Sequence, residues 1–308
     1  MVSRGSLDGR VAVVTGGGGG IGRAVATVLA QQGAAVVVND LGAQLDGSDS
    51  DASVAQQVAD SIVAAGGRAI ANHDSVGSFA GAERIVAAAT DTYGRLDQIV
   101  LCAGNSAQVP PQDMTEEFWD LTMQIHLKGH FACMRASMEP MRSTGGGSIV
   151  AITSHVGLYG LPDAPAYCAA KSGITGLTKS MAQACEPLGI TVNCVAPSAV
   201  TRMSDTVPVD ILRQRAAAAG ITLPDGMSDD EIRLLLIGDP VAVANFIAYL
   251  GTDAARQITG QTFAVIGGHV GVFAPWTETG SVDNTRPWTI DELEQQLPTI
   301  LSGVSVGR

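Results

Sequence analysis

Short apolar runs, rich in β-branched residues, alternate with longer alanine-rich stretches through the first two thirds of the chain. Val11–Val14, Ala35–Val38, Arg68–Ala71, Gln98–Leu101, Ser148–Ile152 and Thr191–Val195 read as strands, and a last one is expected around Thr262–Ile266. These runs are largely apolar throughout instead of alternating in and out, as strands must be when helices cover both faces of a sheet. Strand–helix alternation of this kind implies crossover connections and parallel strands. The predicted fold class is α/β, a doubly wound parallel sheet of about seven strands.

The punctuation supports this division. Asp239 and Pro240 are placed to cap and open a helix before the last strand. Ser198–Gly238 is long for a connection and reads as a substrate loop, with Ser228 and Glu231 forming a capping box inside it. Leu41–Asp51, rich in Gly, Ser and Asp, reads as an exposed turn; it lacks the ligand spacing of a calcium loop. After Gly268 come Trp276, Trp288 and a second capping box, Thr289 with Glu292, ahead of a short helix through Leu297. The expected organisation is one nucleotide-binding domain over residues 1–268, with its substrate loop at 198–238. A C-terminal extension, 269–308, is expected to dock on the domain or on a neighbouring subunit through its aromatics.

Between the first strand and the first helix lies Thr15-Gly16-Gly17-Gly18-Gly19-Gly20-Ile21-Gly22. A strand running through a glycine turn into a helix is a seat for a pyrophosphate: backbone N–H groups face the phosphates and the absence of Cβ atoms lets them approach. Asp40 ends the next apolar run, about 20 residues on, where a ribose-binding carboxylate is expected. It favours NAD, because it would repel the 2′-phosphate of NADP, and the usual cationic partners of that phosphate are missing from Gly17–Gly19 and from Leu41. The competing reading of Asp40 is a loop cap.

A second constellation follows. Tyr167 and Lys171, at i and i+4 on a helix, share a face, so the ammonium is expected to lower the phenol pKa from about 10 toward the working range, helped by an oxidised nicotinamide. Ser154 ends a buried strand at the edge where open α/β sheets bind ligands. The expected chemistry is oxidation of a secondary alcohol: Tyr167 takes the hydroxyl proton, hydride leaves the carbinol carbon for C4 of NAD⁺, Ser154 positions the oxygen, and Lys171 holds the nicotinamide ribose and tunes Tyr167.

With these residues in this order, the chain from Leu7 to Gly268 resembles the short-chain dehydrogenase/reductase family, whose fold is a Rossmann-type sheet. The family's glycine loop is matched by Gly16, Gly20, Ile21 and Gly22, its adenine-contacting Asp by Asp74 before Ser75, and its Asn-Ala-Gly turn by Cys102-Ala103-Gly104. Its Ser, Tyr and Lys are Ser154, Tyr167 and Lys171. Its Pro-Gly motif beside the nicotinamide corresponds to Pro197-Ser198, with carboxamide-facing residues near Val200 and Thr201. Val38–Gly42, His73–Val76 and His126–Gly129 resemble the dehydrogenase part of peroxisomal multifunctional (type 4 17β-hydroxysteroid) enzymes, which implies a 3-hydroxyacyl-CoA or hydroxysteroid-like substrate. In the wider family an Asn, whose main-chain carbonyl holds a relay water, stands where this chain has His126; the backbone carbonyl survives that change, and the imidazole itself is expected to titrate in a useful range. Cys102 replaces an Asn, leaving packing or a reactive thiol as readings. His126 and His130, at i and i+4, lack the acidic partner of a metal site, and no metal is expected.

Composition narrows the rest. Of 308 residues 46% are hydrophobic and the formal charge is −12, which supports a large core and disfavours a nucleic-acid footprint. The five cysteines are scattered among apolar segments, as in a reducing compartment. No uninterrupted apolar run approaches membrane-spanning length and no secretory leader is visible, so a soluble cytoplasmic protein is expected. His155, Tyr159 and Met203 are candidate substrate residues, in a pocket expected to be mostly apolar. The small residues of Ala164–Met181 leave a smooth helix face, and the resemblance implies a homodimer or homotetramer built on it. The alternative functions are an NADP-dependent 3-oxoacyl carrier-protein reductase and a non-catalytic dinucleotide-sensing protein.

Overall fold

The computed structural model describes residues 5–43, 50–105, 108–201, 208–218, 220–224 and 226–301. Eight strands are β1 (Val11–Thr15), β2 (Ala35–Asn39), β3 (Arg68–Asn72), β4 (Gln98–Leu101), β5 (Gly147–Ile152), β6 (Ile190–Ser198), β7 (Thr262–Ile266) and β8 (His269–Val272). The helices are α1 (Gly20–Gln31), α2 (Ser53–Ala64), α3 (Phe79–Tyr93), α4 (Glu116–Thr122), α5 (Gly129–Ser143), α6 (His155–Tyr159), α7 (Pro165–Cys185), α8 (Val209–Ala218), α9 (Asp229–Ile237), α10 (Pro240–Leu250) and α11 (Ile290–Leu301). A wide π-helical turn, Met123–Lys128, joins α4 to α5.

The strands form one sheet in the order β3-β2-β1-β4-β5-β6-β7-β8. β1 to β7 run parallel and β8 returns antiparallel to β7. The chain winds outward from β1 to β3, then comes back to place β4 on the other side of β1. That reversal opens a crevice beyond the carboxyl ends of β1 and β4, the place where such sheets bind ligands.

Successive strand residues point to opposite faces. Val14, Val36, Val38, Val100, Val150 and Val195 meet α1, α2 and α10 on one face; Val13, Val37, Ile99, Ile149 and Val192 meet α3, α5 and α7 on the other. Both faces are dry, which is why the strands read as unbroken apolar runs. Asp239 caps α10 by accepting from Val241 N, and Ser228 with Glu231 closes the capping box of α9. Asp229–Leu250 is apolar enough over its length to suggest a membrane span. It is broken at Gly238, with φ of 107°, into helices of 9 and 11 residues, each well short of the roughly 20 a bilayer requires.

Two boundaries differ from the sequence expectation. The sheet extends past Gly268 because His269–Val272 pairs with β7, a four-residue edge strand too short and too exposed to leave a pattern. The chain divides into a unit Met1–Val272 and a unit Phe273–Arg308. Within the second unit Thr289 and Glu292 form their capping box, and α11 continues through Pro298 to Leu301. The candidate substrate residue Met203 and most of the acidic loop after Gly42 lie outside the described residues.

The entry of α1 depends on a close backbone approach. A Cβ on Gly22 would stand 2.0 Å from the Gly16 carbonyl oxygen. Gly22→Ala is expected to cost about 1–3 kcal/mol in urea unfolding, and a variant as stable as the parent would contradict this packing.

Candidate active site

A cleft of 560 Å³ opens at the switch point. One end is the glycine turn, with Gly16, Gly20, Ile21 and Gly22 on its wall. Helix α1 begins there with no side-chain cap and no acidic residue in its first turn, so its first N–H groups remain free to meet an anion. The neighbouring wall holds Asp40, Leu41, Asp74 and Ser75. Asp40 accepts from Gly18 N at 2.8 Å and from Gly42 N at 2.7 Å, so it ties down the loop as a cap; a carboxylate has acceptor sites to spare for ribose hydroxyls as well. Burial would raise the Asp74 carboxyl, but Arg84, at 2.6 Å, and Asn72 outweigh it and hold it below its ordinary range. Asn39, buried behind them, donates to Asn72 Oδ1 and to the Asp74 carbonyl, fixing the ends of β2 and β3.

The middle of the cleft is formed by Cys102, Ala103 and Gly104 after β4, by Pro197 and Ser198 at the end of β6, and by Ala199 and Thr201 beyond it. Val200 does not line it; its N–H is spent on the Gly238 carbonyl. Burial pushes the Cys102 thiol up to about 12, although Lys171 pulls the other way, which favours the packing role over a reactive thiol; the residue is half-buried at the cleft wall.

At the far end stand Ser154, Tyr167 and Lys171. Ser154 is the N-cap of α6, its Oγ accepting from Val156 N at 3.4 Å, and it also hydrogen-bonds the Tyr167 phenol. Lys171 Nζ donates to the Ile152 carbonyl at 2.8 Å and lies 5.5 Å from the Tyr167 ring centroid. Thr153 Oγ1 donates to the Lys171 carbonyl at 2.7 Å, latching the end of β5 to α7. Burial drives the Lys171 ammonium down to about 8.

The phenol differs from the sequence expectation. Burial pushes Tyr167 up to about 12, and the Ser154 hydrogen bond offsets only part of that rise. The ammonium approaches the ring, and desolvation, which sequence spacing does not reveal, outweighs its attraction for phenolate. His126 also departs: it is buried, and burial first, then Lys171 and His130, hold its imidazole well below 6.5, which favours the neutral ring. His130, pushed down to about 3 by burial and by Lys171, hydrogen-bonds the Leu101 and His126 carbonyls.

His155 and Tyr159 fall outside the lining, whereas Val156 and Leu161 belong to it. Gly157 is the buried residue of α6 and faces α7; positions two residues away on a helix are turned by about 200°, which points His155 and Tyr159 elsewhere and leaves Tyr159 73% exposed. Sequence reading missed Asn105, Gln108 and Gln124, which also line the cleft. Their signal was faint: an Asn following Gly104 reads as an ordinary loop residue.

A sequence profile described as short chain dehydrogenase matches residues 10–210. The chain belongs to that family. It is 40% identical over 213 residues to the mouse peroxisomal multifunctional enzyme type 2, an alignment covering 69% of this chain and 29% of that protein. It is 35% identical over 267 residues to a 3-oxoacyl-[acyl-carrier-protein] reductase of Synechocystis, covering 86% and 98%. A crystal structure of a short chain dehydrogenase from Mycobacterium avium superposes with a TM-score of 0.81 at 35% identity, covering 98% of this chain and 97% of that one. This short-chain dehydrogenase is therefore an NAD(P)-dependent oxidoreductase acting on CH–OH groups. That assignment sets aside the non-catalytic reading.

The dehydrogenase carries a stability cost at Lys171. Below pH 8 the ammonium is charged in both folded and unfolded chains and the full burial penalty applies. Between about 8 and the ordinary 10.5 the folded chain sheds a proton that the unfolded chain keeps, so stability rises with pH. Lys171→Met is expected to raise the Tm at pH 7 by about 2–4 °C, with the gain shrinking as pH approaches 10.5. A lower Tm with no pH dependence in the difference would contradict this.

Proposed function

We propose that the protein is an NAD-dependent dehydrogenase interconverting a secondary alcohol and a ketone on a hydrophobic 3-hydroxyacyl thioester or hydroxysteroid-like substrate. The observation that carries the reading is the group of half-buried Tyr167 and Ser154 with buried Lys171 at the open end of β5, facing the cleft that begins at the glycine turn. Gly16, Gly20, Ile21 and Gly22 would hold the pyrophosphate, Asp40 the adenosine ribose, Asp74 and Ser75 the adenine side, and Pro197, Ser198 and Thr201 the nicotinamide end. The oxidised nicotinamide, when bound, is the hydride acceptor.

The protein's own residues then do the positioning and the proton work. Ser154 holds the alcohol oxygen while Tyr167 removes its proton. A phenol pushed up to about 12 stays protonated even with Lys171 beside it, so it can take a proton only once further positive charge, which an oxidised nicotinamide would bring, lowers it. Ketone reduction runs through the same contacts in reverse, with Tyr167 donating. Leu121, Ile125, Val156, Leu161 and Ile237 make the substrate end apolar, which suits an acyl chain or a sterol skeleton and suits sugars poorly. The mouse relative's name places it in a peroxisomal multifunctional enzyme, and this chain matches only part of that protein. The second reading, an NADP-dependent 3-oxoacyl carrier-protein reductase, is favoured by the Synechocystis relative. Asp40 argues against it by charge.

Tyr167→Phe is expected to lower kcat for NAD⁺-linked oxidation of 3-hydroxyacyl thioesters or hydroxysteroids by a factor of about 10²–10⁴ or more, with NAD⁺ binding retained; an active variant refutes the base assignment. Titration of the parent with both nucleotides is expected to show NAD binding at least about tenfold tighter than NADP, with Asp40→Asn narrowing the ratio. Equal affinity would instead favour the reductase. The subunits are also proposed to pair through the small-residue face of α7, so mass photometry is expected to read a dimer or tetramer, and a monomer would count against that pairing.

A further inference from the structure

Among the described residues, three buried side-chain atoms without a hydrogen-bond partner fall close together: Asn105 Nδ2, His126 Nδ1 and His130 Nε2. Native interiors avoid such atoms, and a hydrophobic residue of similar size would fill the same space without the penalty. Asn105 follows the Cys102–Gly104 wall, and His126 lies on the π-helical turn, a helix irregularity that recurs at functional sites. His126 stands edge-on to the Tyr167 ring, with centroids 5.2 Å apart and planes at 86°. It also presses on the wall of the cleft: a Cβ on Gly104 would come within 2.4 Å of His126 Cε1.

His126 Nε2 is surrounded by one residue. Asn105 Oδ1 lies at 3.1 Å, the Asn105 carbonyl at 3.2 Å and the Asn105 N–H at 3.2 Å. With the ring proton on Nδ1, Nε2 would accept the N–H but set its lone pair against two oxygens. With the proton on Nε2, both oxygens accept it while the Asn105 N–H is set against it; Nδ1 and Asn105 Nδ2 lack a partner in either arrangement. The second arrangement satisfies two of the three contacts and the first only one.

We infer that Asn105 and His126 form a buried positioning pair in which the Asn105 side chain fixes the Nε2–H tautomer of His126 and the imidazole edge sets the orientation of the Tyr167 phenol. The inference rests on the proposed role of Tyr167 and reassigns His126 from proton carrier to buttress. One ring then joins three segments that must keep register during turnover: the wall after β4, the π-helical turn and α7. A rigid edge is suited to this task because the phenol has to point at both Ser154 and the substrate oxygen, and small errors in such placement are expensive in rate. The other ionisable groups around the imidazole are Lys171, His130 and Tyr167.

The test uses the full-length enzyme with NAD⁺ and a 3-hydroxybutyryl thioester. Asn105→Leu removes the acceptor at similar volume and is expected to lower kcat about tenfold to hundredfold, with KM and NAD⁺ affinity within about twofold of the parent. Asn105→Asp keeps Oδ1 but puts a carboxylate on Nε2, which should raise the imidazole pKa and shift the kcat profile to higher pH relative to the parent. Nitrogen-15 NMR of the parent is expected to show His126 neutral, protonated on Nε2. Unchanged kcat in Asn105→Leu, a parental pH profile in Asn105→Asp, or the Nδ1–H tautomer in the NMR spectrum would each overturn the pair. If Asn105→Leu does not fold, the near-isosteric Asp variant and the parent spectrum decide. A parent inactive on every secondary alcohol would instead defeat the proposed function, while the spectrum still tests the geometry of the pair.

Discussion

The constraint on which the site depends is a lysine ammonium kept in the protein interior. Lys171 keeps only 3% of its exposure, and such a charge is tolerable only where fixed dipoles receive it. The Ile152 carbonyl takes one of its protons, and the Thr153 hydroxyl holds the backbone of Lys171 from the same strand end. The charge in turn shapes its neighbours. It helps suppress protonation of His126 and His130 and opposes the rise of the Cys102 thiol. A chain of polar groups at the open end of β5 is thus held in defined protonation states by one cation and by the dryness of the site.

The parallel sheet supplies that dryness. Because α1, α2 and α10 cover one face and α3, α5 and α7 the other, the polar side chains that line the cleft gather at the carboxyl edge where the winding reverses. The glycine turn and the Ser154 corner are therefore two points on the same rim, brought together by topology across more than a hundred residues of sequence. Asp40 stands on the same rim. As a loop cap it shapes the turn through Gly18 and Gly42, and the shape so fixed is what would receive a dinucleotide.

Much of this was legible in the sequence because parallel strands buried on both faces leave unbroken apolar runs, and all seven parallel strands lie where those runs are. The capping residues Asp239, Ser228 and Thr289 mark their helices because each side chain answers an orphan N–H directly. What was not legible depended on burial and on local helix phase. Spacing alone suggested a phenol made acidic by its lysine, whereas desolvation dominates in the folded protein. His155 and Tyr159 follow Ser154 closely in sequence, yet the single turn of α6 directs them away from the cleft. Asn105 gave no signal, since its importance lies in what surrounds the His126 ring, and β8 was too short to show a period.

The central claim is that the Tyr167 phenol is held protonated by burial and becomes a usable base only in the presence of added positive charge. Ultraviolet difference titration of tyrosinate, comparing the parent with Tyr167→Phe, isolates that one phenol with and without NAD⁺. The account expects ionisation near 12 in the free protein and a pKa lower by at least about one unit when NAD⁺ is bound. A phenol that titrates at the same pH in both states would contradict it.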